Sequence, residues 1–84
     1  MSDASGVRAA VEVLAKALTD RPDVVRVTES QRQQATLIEV FVAPDDLGKL
    51  IGRQGRTVAA LRTLASSAGE REGKTVTLEI RESR

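Results

Sequence analysis

The residues best placed to do chemistry lie in one short run, Leu50-Ile51-Gly52-Arg53-Gln54-Gly55-Arg56-Thr57-Val58. Two glycines stand three apart. Arg53 and Gln54 lie between them, and Arg56 follows directly. Glycine turns the backbone without a Cβ penalty and lets a ligand approach the main chain. A helix starting just beyond Gly55 would aim its unpaired N–H groups into the same corner. With Arg53 and Arg56 beside it, phosphate is the natural guest. The plainer alternative is a capped helix–helix corner with solvated arginines. Glycine spacing alone does not separate the two.

Charge distribution favours the first reading. The chain has 84 residues and a net charge of only +1. Between Leu47 and Gly69, however, stand Lys49, Arg53, Arg56 and Arg62 and no acid. The remainder is therefore net negative, and this segment is a local positive site on a near-neutral protein. Other phosphate loops fail on spacing. A Walker A loop, G-x-x-x-x-G-K-S/T, needs a glycine where Leu50 stands and a lysine where Arg56 stands. The dinucleotide fingerprint G-x-G-x-x-G also requires glycine in place of Leu50 and a strand before the turn.

Composition narrows the function classes further. Cysteine, histidine, tryptophan and tyrosine are absent, and Phe41 is the lone aromatic. That removes disulfides, thiolate or imidazole metal sites, and the commonest general base. Thr57, Ser66 and Ser67 have no base nearby in sequence, so a catalytic role is not expected. No cofactor or metal is implied. No apolar run reaches the length of a membrane span or signal segment, so a cytoplasmic protein without membrane contact is expected.

These residues need elements to position them. Val7, Val11, Leu14 and Leu18 recur on one helical face, with Ser5 as candidate N-cap and Pro22 beyond the end. Val24–Thr28 reads as a strand, the polar run Glu29–Gln34 as a hairpin loop, and Thr36–Val42 as the return strand. Ile38, Val40 and Val42 face the core there, while Leu37 and Phe41 point away with no assigned role. Pro44-Asp45-Asp46 opens a short helix whose acids suit the dipole, and Gly52 ends it. A second helix runs from about Arg56 to Ser67 on Val58, Leu61, Ala65 and Ala68. Gly69 and Gly73 bracket a charged turn. Thr75–Arg81 is a strand with Val76, Leu78 and Ile80 inward. The order α-β-β-α-α-β predicts an α+β fold, one three-stranded sheet with helices packed on one face. An apolar groove walled by Leu47, Leu50, Ile51 and the edge of the second strand would adjoin the glycine turn.

The run Gly48-Lys49-Leu50-Ile51-Gly52-Arg53-Gln54-Gly55-Arg56-Thr57-Val58 resembles the core of a KH domain, whose signature is I-G-x-x-G-x-x-I/V. The element order is similar to the type II, bacterial arrangement. Ala43 through Leu64, and the ending Gly73–Ile80, extend the likeness to about residues 7–82. The chain resembles the small bacterial single-KH-domain RNA-binding proteins of the KhpA/YlqC family. That resemblance implies one KH domain over residues 1–84. It implies a non-catalytic binder of single-stranded RNA, an RNA chaperone or post-transcriptional regulator. Gly52, Arg53, Gln54 and Gly55 would clamp the RNA backbone. Gly48, Leu50 and Ile51 would lie on the groove side, and Lys49 and Arg56 would add phosphate contacts. With no aromatic in the motif, base contacts should be apolar or through edge hydrogen bonds. The resemblance also implies a homodimer through the long helix at Ala60, Leu64 and Ser67, and a heterodimer with a larger KH-containing protein. On residues alone, the favoured reading is that Leu64 simply widens the core face. The competing function is a KH-fold protein-interaction module with weak RNA contact.

Overall fold

Every second residue of Ala35–Val42 is buried: Thr36, Ile38, Val40 and Val42. That period of two places this strand, β2, at the centre of the sheet with its apolar face inward. The structure, a computed structural model, describes residues 6–33 and 35–83. Ser5 lies outside them. Two strands flank β2. β1 (Arg26–Arg32) is antiparallel, with Val27 opposite Val40. β3 (Thr75–Glu82) is parallel, with Leu78 opposite Ile38. A parallel neighbour demands a crossover. Two helices supply it, α2 (Leu47–Ile51) and α3 (Arg56–Arg71).

A further helix, α1 (Gly6–Leu18), packs on β1 and β2, while α2 and α3 pack on β3. The core is one cluster, with Val7, Val11 and Ala15 of α1, Leu50 of α2, and Leu61 and Ala65 of α3 over Val27, Ile38, Val40 and Leu78. The expected order and one-sided packing are therefore observed. Among the described residues, no helix is long and apolar enough to cross a membrane.

Several local expectations are corrected. The polar run after Thr28 is not a loop. β1 continues through Arg32, which pairs with Ala35, so the connection between the strands is two residues long. A two-residue connection is the commonest hairpin, and Gln33 adopts the positive φ, 55°, that such turns favour. Pairing with β2 overrides the polarity of Glu29–Arg32. The buried Thr36 hydroxyl donates to Gln31 Oε1 at 3.2 Å. In α1, Ala15 rather than Leu18 completes the core stripe, and Leu18 is exposed.

α3 also runs past Ser67 and takes in Gly69, which is buried. A Cβ on Gly69 would sit 2.4 Å from Val76 Cγ2, so only glycine lets α3 lie this close to β3. The turn follows it as a Schellman cap. Lys74 N–H donates to the Gly69 carbonyl at 2.8 Å and Gly73 N–H to the Glu70 carbonyl at 3.1 Å. Gly73 takes the left-handed position, φ 73°.

The acid at Asp46 does something other than meet a helix dipole. Pro44–Asp46 form a single 3-10 turn before α2, and Asp46 is 1% exposed. Its two carboxylate oxygens accept the backbone N–H groups of Asp20 and Arg21, each at 3.0 Å. The start of α2 is thereby tied to the α1–β1 connection. The Asp20 N–H bond is the main reason its carboxyl is held below the ordinary carboxylate range, with burial opposing.

A group whose folded pKa is depressed adds stability that is fully present above its unfolded pKa, about 3.9 for aspartate. That stability is lost as pH falls through the lower folded value. Wild type is predicted to lose urea resistance steeply below about pH 4. Asp46→Asn is predicted to unfold at lower urea at pH 7 and to show a shallower decline in acid. Urea midpoints measured from neutral to strongly acidic pH check both.

Candidate nucleic-acid interface

α2 ends where Gly52 N–H closes onto the Gly48 carbonyl at 2.8 Å. Gly52 then takes φ 78°, ψ 171°, a region essentially closed to side chains. Arg53–Gly55 form one 3-10 turn, closed by Gly55 N–H on the Gly52 carbonyl at 3.1 Å. Gln54 (φ 58°, ψ 26°) and Gly55 (φ 71°, ψ 16°) are both left-handed, and α3 begins at Arg56. No side chain caps the N-terminus of α3. Arg56 N–H donates to the Arg53 carbonyl within the turn, so the uncapped N–H groups are those of the residues that follow it.

The three glycines of the motif do different work. A Cβ on Gly52 would lie 2.3 Å from Thr57 Oγ1 and 2.9 Å from Thr57 N, so the turn is packed onto the first residues of α3. Gly55 has open space where a Cβ would be, and its backbone conformation alone favours glycine. Gly48 likewise faces nothing within 4 Å, which leaves the surface beside α2 unobstructed.

The cations divide unequally. Arg53, Gln54 and Arg56 are exposed together around the turn, and Arg56 Nη2 donates to Gln54 Oε1 at 3.1 Å. Lys49 is exposed, but its ammonium is paired with the Asp20 carboxylate and lies 3.8 Å from Asp46 Oδ1. The bond to Asp20 raises its pKa above the ordinary lysine value. Arg62 donates from Nε to the Leu78 carbonyl at 3.3 Å, on β3. Of the four cations in the acid-free segment, Arg53 and Arg56 thus remain at the turn without a carboxylate partner among the described residues.

The expected groove is altered in two respects. β2 is paired on both sides, so it offers no edge, and the strand beside α2 is β3. Leu50 is fully buried and supports the turn from the core, whereas Ile51 and Gly48 are exposed. Ala60, Leu64 and Ser67 lie at i, i+4 and i+7 on the exposed side of α3. Leu64 is 54% exposed and does not widen the core face.

Sequence reasoning missed two positioning residues. Nothing in the pattern announced that Asp46 would turn inward, because an acid before a helix is ordinary. Thr57 read as a plain helix residue, yet its side chain fills the space that Gly52 leaves.

The profile of the family described as KhpA/KhpB, KH domain, matches residues 8–80. The chain belongs to the KhpA/KhpB KH domain family. A protein named RNA-binding protein KhpA from Caldanaerobacter subterraneus is 50% identical over 70 residues, 83% of this chain and 93% of that protein. Its Aquifex aeolicus counterpart is 47% identical over 78 residues, 93% of this chain and 99% of that one. The Mycobacterium bovis counterpart is 52% identical over 62 residues, 74% and 78% respectively. Among solved structures, Era in complex with MgGDPNP and nucleotides 1506–1542 of 16S ribosomal RNA matches with a TM-score of 0.61 at 22% identity. That alignment covers 90% of this chain and 29% of the Era chain, and the likeness is one of fold.

Within this KH domain, the glycines should differ in their tolerance of a methyl group. Gly52→Ala meets both a forbidden backbone region and Thr57, and should cost about 2 kcal/mol or more. Gly55→Ala meets only the left-handed penalty, about 1 kcal/mol. Chemical denaturation of the two variants beside wild type should rank them in that order.

Proposed function

We propose that this chain is a non-catalytic single-stranded RNA-binding protein. In this reading the turn from Gly52 to Gly55 clamps the sugar–phosphate backbone. The supporting observation is the uncapped N-terminus of α3 within a glycine-built turn that exposes Arg53, Gln54 and Arg56 together. Relatives named RNA-binding protein KhpA support the same reading. Gly48 leaves room for a close approach beside α2, and Ile51 offers an apolar contact. Lys49 would reach phosphate by exchanging its Asp20 partner. The role we assign is that of a cytoplasmic RNA chaperone or post-transcriptional regulator, built as one KH domain.

Arg53→Asp combined with Gln54→Asp puts negative charge where phosphate should sit. The pair should lower affinity for a single-stranded oligoribonucleotide by at least about tenfold, with the far-ultraviolet dichroism spectrum kept. For two or three phosphate contacts, log affinity should fall against log salt with a slope of about −2 in wild type. Fluorescence anisotropy across a salt series measures both. Unchanged affinity in the double variant removes the clamp.

A second reading has its own observation. Leu64 stands exposed between the small residues Ala60 and Ser67, a stripe suited to close helix approach. In this reading the chain is an interaction module, homodimeric through α3 or paired with a larger KH-containing protein. Leu64→Lys should halve the mass measured by light scattering while leaving the fold intact. A wild type already monomeric at high concentration ends this reading.

A further inference from the structure

The face of the sheet turned away from the helices is not blank. Its residues, in register, are Arg26, Phe41 and Arg81 in one row, and Thr28, Glu39 and Glu79 in the next. Phe41, the lone aromatic of the chain, has no part in the core cluster. The Arg26 guanidinium carbon lies 5.5 Å from its ring centroid. Arg81, on the other flank, donates from Nε to Glu39 Oε2 at 2.7 Å and also pairs with Glu79. Those two carboxylates fix Arg81 between them. Arg26 has no carboxylate partner among the described residues, so its guanidinium stands beside the aromatic ring without an ion pair.

This row forms one wall of a depression of about 490 Å³, lined by Arg26, Phe41, Ile80, Arg81, Glu82 and Ser83. Its volume falls within the range of small-ligand sites. Its chemistry suits one nucleotide. Bases stack on aromatic rings and on guanidinium planes. The unpaired Arg26 cation complements a phosphodiester. The Glu82 carboxylate can accept from the exocyclic amine of a base, and the Ser83 hydroxyl can donate to a base edge. The wall built by Ile80–Ser83 is the C-terminal end of β3, the strand that also flanks α2. Because β3 runs parallel to β2, its C-terminal end lies at the end of the sheet from which the chain leaves β2 for α2 and the glycine turn.

We propose that this outer-sheet depression is a second nucleotide site, in which a base of the same single-stranded RNA stacks against Phe41 and Arg26. The proposal rests on the RNA-binding reading above. It adds a stacking contact that the motif lacks. It also makes affinity depend on RNA length beyond the roughly four nucleotides one KH groove holds.

Because Phe41 is the sole aromatic residue, ring-labelled phenylalanine yields a one-residue spectrum. Full-length chain carrying ¹³C-labelled Phe is titrated with two oligoribonucleotides of mixed sequence, one of about four residues and one about three times longer. The longer one should move the Phe41 ring signals upfield; the shorter should not. Phe41→Leu and Arg26→Gln should each weaken the longer oligonucleotide at least about fivefold and leave the shorter unchanged. Should Phe41→Leu fail to fold, the wild-type ring shift and Arg26→Gln decide. If the longer RNA binds with still ring signals and with full affinity in both variants, the site is overturned and the clamp is untouched. If Arg53→Asp with Gln54→Asp leaves the longer RNA bound and the ring shifted, the clamp fails and this site stands. Binding of neither oligonucleotide removes both. A ring shift that grows with protein concentration alone assigns the face to a second copy of the chain and overturns the proposal.

Discussion

A single buried carboxylate ties the crossover helices and their glycine turn to the rest of the molecule. Asp46 sits at the point where the chain leaves the sheet for the crossover helices, and it accepts two backbone N–H groups from the connection between α1 and β1. Those N–H groups lie just past the end of α1. One side chain thus satisfies the α1 exit and fixes the α2 entry together. α2 has only five residues, too few to hold its own direction. Its aim, and hence the placement of the turn that follows, comes from Asp46 at one end and Leu50 in the core.

From that anchor the glycine turn gains its shape. Gly52 is demanded by contact with Thr57, Gly55 by backbone conformation, and Gln54 is braced in a left-handed state by Arg56. The turn is therefore defined by the protein's own contacts, and a ligand in the proposed site would not have to order it. The surrounding positive charge is sorted as well. Lys49 and Arg62 are engaged with the protein itself, the first with acids and the second with a strand carbonyl. Sequence proximity grouped four cations, and tertiary contacts leave two at the turn.

Legibility in the sequence followed periodicity. β2 and β3 alternate over a full strand length, and both amphipathic crossover helices show their apolar positions, so these elements, their order and their sidedness could be read directly. The glycine motif was legible because its spacing is rare and its surroundings lack acids. The misreadings share one cause, which is that tertiary partners are invisible along a chain. Glu29–Arg32 look like loop until β2 supplies their hydrogen bonds. Gly69 looks like a helix stop until β3 is seen to need its missing Cβ. Leu50 looks like groove until α2 is rotated by its packing. Asp46 looks like a dipole partner until α1 ends beside it.

The parallel pairing of β3 with β2 has a consequence for the order of events during synthesis. β2 leaves the ribosome before the crossover, but the surface on which α2 and α3 rest is completed by β3, which follows them. Until that strand inserts beside β2, Gly69 has no Val76 to approach and Arg62 has no Leu78 carbonyl to meet. The hairpin and α1 can assemble early; the glycine turn becomes a fixed shape only when the last strand closes the sheet. A nascent chain would fix the shape of this turn late, only after β3 has followed the crossover helices.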